Sequence, residues 1–299
     1  FELLGIVLLA TKLMGLSFLE SAIMGSVLAA VSPAVVVPRM VKLMDESYGV
    51  KEGIPQLILA GASVDDVYVI VLFSTFVGMI QGEGVSALSF IKIPFSILFG
   101  IVIGLCIGFL LAYFFKKIHS RDTSKVLVIL SISFLLVVVE DKLKSAIPFS
   151  ALIAIMFIGI GLQRKRGEVA KRLSAKYGKL WVVAEVFLFV LVGATVNIGY
   201  LGNVGIKAFI VIIGALAFRM LGVFICLLGT SMNKREKMFV MIAYTPKATV
   251  QAAIGGVPLA LGLACGNAVL TVAVLAIVLT APLGAFAIDL SYKKLLTQN

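Results

Sequence analysis

Histidine and cysteine are almost missing from this 299-residue chain: there is one His (His119) and three Cys (Cys106, Cys226, Cys265), none in a CxxC pair. Neither a zinc site nor a disulfide framework can be assembled from that set. Charge is scarce too, at 14% of residues, where a soluble domain carries about a quarter. The hydrophobic share is 61% and the mean hydropathy +1.14. So little polar surface cannot face water, and the chain must be solvated by lipid. Soluble enzymes, nucleic-acid modules and disordered proteins are excluded. Acids are the rarer sign, 15 Asp and Glu against 26 Lys and Arg. Whether that excess marks an acidic partner depends on where the basic residues sit. The chain opens on Phe1 with no signal peptide, so the expectation is an N-terminal truncation.

What is present is a series of long apolar runs. A helix needs about 20 apolar residues to cross the hydrocarbon layer. Ten such runs fall near 2–16, 20–38, 55–79, 91–115, 124–139, 147–162, 180–199, 206–229, 238–258 and 267–290. They are continuously apolar, unlike the alternating segments of a membrane β-barrel. Basic residues test the count. Alternate connections hold Arg39, Lys42 and Lys51, then Lys116 to Lys125, Arg164 to Lys179, Lys234 to Lys237, and Lys293 with Lys294. The intervening connections hold only Lys92, Lys142, Lys144 and Lys207. This asymmetry predicts an all-α integral membrane protein of about ten transmembrane helices with a cytoplasmic C-terminus. The positive balance is then an orientation signal and calls for no nucleic acid. The expected surroundings are the lipid bilayer of a bacterial plasma membrane, and the basic stretch from Arg164 to Lys179 is a solvated cytoplasmic link, a contact for anionic lipid or a pH-sensitive region.

Lys12, Arg219 and Lys247 lie inside predicted spans, as do Asp65, Asp66 and Glu185, with Glu20 and Asp289 nearer the ends. A charge in hydrocarbon costs at least about 3 kcal/mol, so chemistry is to be sought there. The second and ninth runs share a local pattern, Ala30-Val31-Ser32-Pro33 and Ala243-Tyr244-Thr245-Pro246: Ala, any residue, a hydroxyl residue, Pro. Proline removes a helical hydrogen bond and clashes one turn back, which predicts breaks at Pro33 and Pro246. Two broken helices at matching places in two halves, running in opposite directions, indicate an inverted-repeat transporter with its site where the breaks meet.

Asp65 and Asp66 are adjacent and point about 100° apart on a helix, so they cannot share one contact. One can face a cavity while the other meets a basic partner. Burial and a neighbouring like charge favour the neutral form of a carboxyl group. Such a group holds a proton or a small hard cation by turns. Arg219 and Lys247 are the available countercharges, and either can neutralise Asp65; Glu185 and Glu20 also stand as partners for Arg219. Gly100, Gly104 and Gly108 recur every four residues, a face for close helix packing.

At these residues the chain resembles the cation/proton antiporter superfamily, specifically the sodium/proton exchanger domain of its NHA-type branch. The likeness rests on Ala30 to Pro38, on Asp65-Asp66, on Arg219, and on Pro246-Lys247-Ala248-Thr249-Val250-Gln251-Ala252-Ala253, and it extends over nearly the whole chain. It implies an antiporter fold with two crossed broken helices. Core helices would span about 1–79 and 206–290, and dimerisation or linking helices about 91–199, together one exchanger domain over 1–299. It implies a homodimer in the full-length protein, with the core sliding like an elevator. Asp66 would carry sodium and protons, Asp65 would pair with Arg219, and Ser32 would stand where some members have an aspartate. Thr245 would face Ser32, and Lys247 would replace an Arg common among relatives. Two N-terminal helices would be absent. An acidic residue that some relatives place in the first helix would also be missing, with Thr11 or Lys12 there instead.

The expected function is exchange of sodium or lithium for protons by alternating access, with no cofactor and no enzymatic residue. The alternative is a sodium-coupled symporter of an organic anion, which needs a roomy polar cavity that the Val, Ala and Gly around the breaks do not offer. An intramembrane aspartyl protease ranks last, because adjacent aspartates cannot converge on one bond. No repeated filter sequence supports a channel. An Asp-Asp pair implies charge movement in each cycle, a count that Arg219 and Lys247 can change.

Overall fold

A computed structural model describes residues 1–82, 87–118, 120–143, 149–194 and 198–298. His119 lies outside them. Thirteen helices are described: α1 (Glu2–Met14), α2 (Phe18–Leu28), α3 (Pro33–Asp45), α4 (Ile54–Ile80), α5 (Ala87–Lys117), α6 (Asp122–Leu143), α7 (Ala151–Lys165), α8 (Gly167–Ala194), α9 (Ile198–Cys226), α10 (Lys234–Ala243), α11 (Thr249–Ile254), α12 (Val257–Ala260) and α13 (Gly266–Leu295). Each of the ten apolar runs overlaps helix. The runs near 20–38 and 238–258 are the interrupted ones, split into α2 and α3 and into α10, α11 and α12. Among the described residues, six helical stretches are long and apolar enough to cross a membrane, with α2 and α3 counted as one. The other four runs, in α1, α7, α8 and α10 to α12, do not meet that length and composition among the described residues, α1 and α7 having only 13 and 15 residues.

Local signals explain where these helices begin and end. At the start of α2, Ser17 Oγ accepts from Glu20 N while Glu20 Oε2 accepts from Ser17 N, a reciprocal cap. Asn233 and Glu236 do the same for α10. Pro33 is the first residue of α3, where its missing N–H has no helical partner to lose. Gly15 ends α1 in the left-handed region, with φ +69°.

The chain divides into two compact units, one of Phe1–Gly84 with Leu188–Asn299 and the other of Val85–Phe187. In the first unit, Ile6, Ile23, Val27, Val211, Val269 and Ala273 join α1, α2, α9 and α13. A neighbouring cluster (Val36, Met40, Ile58, Phe239, Ile288) joins α3, α4, α10 and α13. The turn after α3 is strapped to the end of the chain. Gly49 N donates to Thr297 O at 2.9 Å, Tyr48 and Gln298 form an antiparallel bridge, and Tyr292 hydroxyl donates to Glu46 Oε2 at 3.0 Å. The rings of Tyr48 and Tyr292 meet edge to face at 5.0 Å.

In the second unit α5 packs along α7, with Ile158, Leu162 and Phe115 in the core. The glycine face of α5 makes this possible: a Cβ on Gly100 would meet Ser150 O and Ile153, one on Gly104 would meet the Ala154 backbone, and one on Gly108 would meet Ile158 O. Gly104→Val is therefore expected to lower stability by about 1–3 kcal/mol or more through overpacking, while Gly159→Ala, which has open space, leaves it unchanged or raised. Thermal unfolding in detergent checks both, and equal melting of the two variants would contradict the close packing.

Candidate functional site

The two interruptions meet. Residues 29–32 are not helical between α2 and α3, nor are 244–248 between α10 and α11. Ser32 N donates to Pro246 O at 2.8 Å, joining one break to the other. Pro33 heads the helix after the first break, and Pro246 stands inside the second. In lipid the freed backbone groups require partners, and side chains supply them. Val31 N donates to Asp65 Oδ2 at 2.9 Å. Lys247 Nζ donates to Leu28 O at 2.6 Å, and Lys247 N donates to Thr280 Oγ1 at 2.9 Å. Arg219 donates to Ala29 O. Gln251 Nε2 donates to Val27 O and Ala30 O at 3.1 and 3.0 Å.

The same cations are held by carboxylates. Arg219 Nη2 lies 2.6 Å from Asp65 Oδ2, and Nη1 lies 2.7 Å from Glu2 Oε2. Lys247 Nζ lies 2.5 Å from Glu2 Oε1. Arg219 also stacks over Tyr244, 5.6 Å from the ring centre. That ring fits because Gly61 on α4 has no side chain: a Cβ there would overlap the Tyr244 hydroxyl.

Asp66 follows Asp65 on α4 and makes no ion pair among the described residues; its Oδ1 is buried and unpartnered, as is Ser32 Oγ. Thr245 is next to Pro246 in the second break, and its hydroxyl donates to Ile242 O at 2.8 Å, which leaves its lone pairs free to accept. No group of three or more His, Cys, Asp or Glu side chains suited to a metal ion occurs among the described residues.

The family model for the transmembrane sodium/hydrogen exchanger matches residues 1–290. The chain belongs to the sodium/hydrogen exchanger family. Human sodium/hydrogen exchanger 9B2 is 34% identical over 97% of this chain and 55% of its own length. The relative of the same name from Xenopus tropicalis is 35% identical over 96% of this chain and 55% of its own. The chain thus spans about half the length of the curated relatives it matches. In fold it is similar to the sodium proton antiporter MjNhaP1 from Methanocaldococcus jannaschii, with a TM-score of 0.77 and 23% identity over 95% of this chain and 76% of that one. With this membership and its apolar helices, the exchanger chain is an integral membrane protein.

Glu2 corrects an expectation. The first helix does carry an acidic residue at the site, and it is neither Thr11 nor Lys12; Thr11 hydroxyl instead shares a 3.0 Å hydrogen bond with Ser21. Glu2 is the second residue of the chain yet only 4% exposed, and it bridges Arg219 and Lys247. Glu20, the other acid weighed as a partner for Arg219, is spent on the α2 cap. The Glu185 side chain lies outside the described residues. The signal for Glu2 was available: an acid inside an apolar run, at Phe1-Glu2-Leu3-Leu4.

Removing one member of a buried charge network leaves its partners uncompensated, at a cost of about 3–5 kcal/mol. Glu2→Gln is expected to lower the melting temperature of the exchanger by that measure, and adding Lys247→Met to recover part of the loss. Parental melting of Glu2→Gln would mean that the network does not hold the first break.

Proposed function

We propose that this chain exchanges sodium or lithium ions for protons by alternating access, with Asp66 as the carrier of both. The observation that carries the reading is a mismatch in charge. Three carboxylates (Glu2, Asp65, Asp66) stand with two cations (Arg219, Lys247), and the ion pairs tie both cations to Glu2 and Asp65. Asp66 is the carboxylate left over. Either a proton or one monovalent cation neutralises it, and both cannot do so together. Ser32 Oγ and Thr245 Oγ1 are the hydroxyl oxygens placed to help, at the breaks that Pro33 and Pro246 create. Their dipoles, with helix termini converging at one depth, add partial charges suited to an ion.

Facing the side rich in protons, Asp66 takes up a proton and releases its cation. Facing the other side, it loses the proton and accepts sodium. The cation's preference for the unprotonated site supplies the coupling. The names of the relatives support the two ions exchanged, and all nine residues given to the site, Glu2 included, fall in the unit Phe1–Gly84 with Leu188–Asn299, so the site can travel as one body. Lys247 and Arg219 act as fixed countercharges in this scheme. With a single free carboxylate, the scheme exchanges one proton for one monovalent cation, and the charge movement implied by the Asp-Asp pair alone is cancelled by Arg219.

Proteoliposomes carrying the protein and a pH gradient test the reading. Addition of sodium is expected to dissipate the gradient at a rate independent of membrane potential, and Asp66→Asn to abolish the response. Dissipation by Asp66→Asn at the parental rate would remove Asp66 from its role. A rate that follows the imposed potential would remove the one-for-one count.

A further inference from the structure

The break after α2 leaves the carbonyls of Val27, Leu28, Ala29 and Ala30 without helical N–H partners, and that of Ala29 could have none in any case, because the residue one turn on is Pro33. Oxygens at a half-helix C-terminus carry partial negative charge, and in transporters with broken helices they commonly ligate the coupling ion. In this chain all four are taken: Lys247 donates to Leu28 O, Arg219 to Ala29 O, and Gln251 to Val27 O and Ala30 O. Gln251 differs from the other two donors. It belongs to α11, beyond the second break, and is fully buried. It covers two carbonyls with one amide and brings no charge. A lysine there would add a third cation against carboxylates that already balance two. The amide closes the helix end and leaves Asp66 unmatched.

We infer that Gln251 is a positioning residue for the transported ion: by occupying the Val27 and Ala30 carbonyls it closes the broken end of α2 to metal ions, so that the cation goes to the Asp66 carboxylate. The inference rests on Asp66 being the carrier. Hard cations take oxygen ligands, so two carbonyls released together would form a second attraction for sodium beside the first.

The test uses the whole chain in proteoliposomes with Gln251→Met, which keeps the length of the side chain and removes its donors. The apparent KM for sodium is expected to fall about three-fold or more, and the ratio of lithium to sodium KM to change, in protein that still unfolds cooperatively on heating. A residue that only joins α11 to α2 would lower the melting temperature and leave both KM and ratio at parental values; that result overturns the inference. Should Gln251→Met not fold, Gln251→Glu decides. Its carboxyl group can donate to a carbonyl only when protonated, so the sodium KM is expected to gain a pH-dependent step that the parent lacks, and a parental pH profile overturns the inference. Failure of both variants to fold also overturns it, in favour of a purely structural staple. Absence of sodium-driven proton exchange in the parent defeats the assignment of Asp66, whereas parental exchange with unaltered variants defeats only that of Gln251.

Discussion

A helix broken in lipid leaves backbone groups that water cannot reach, and the site of this exchanger is organised around that debt. The end of α2 presents a row of carbonyls and the start of α3 a bare N–H. Arg219, Lys247 and Gln251 cover the first, and Asp65 covers the second. Because the donors include two full cations, Glu2 and Asp65 have to be buried with them, since an isolated ion in this medium would cost far more than a paired one. The position of nearly every polar side chain at the breaks follows from satisfying the backbone.

That logic also separates two aspartates that are neighbours in sequence. Asp65 is committed twice, to Arg219 and to Val31 N. Its side chain is part of the scaffold. Asp66, turned by about 100° on the same helix, has no such commitment. Adjacent residues of one chemistry thus differ because Asp65 is held by Arg219 and Val31 N, while Asp66 Oδ1 has no partner among the described residues. Gly61 contributes from the same helix: by lacking a side chain it admits the Tyr244 ring against which Arg219 lies.

Much of this could be read from residue types. Proline has no N–H, so Pro33 and Pro246 announce interruptions wherever they sit, and the repeated hydroxyl residue before each reveals the two-fold relation. Asp65 and Asp66 stand out because they are a pair of acids inside a long apolar run. Glu2 was harder, since its burial is set by Arg219 on α9 and Lys247 in the second break, both far along the chain. Glu20 misled in the other direction. The spacing Ser17-Phe18-Leu19-Glu20 spells a reciprocal cap, which removes it from contention as a partner for Arg219. Gln251 escaped because a search for buried charge passes over a neutral amide. Apolar runs locate helices, while helix length depends on where caps and breaks fall, so length and composition alone mark six membrane-spanning stretches among the described residues.

The strap between the turn after α3 and the last residues carries a mechanical consequence. Backbone pairing at Tyr48 and Gly49, and the edge-to-face contact of the Tyr48 and Tyr292 rings, join the second half of the first broken helix to the tail of α13. A pull on residues 297–298 is therefore felt by α3, and through it by Ser32 at the head of that helix. Whatever is attached beyond the tail, a soluble domain or a laboratory tag, holds a lever on the first break.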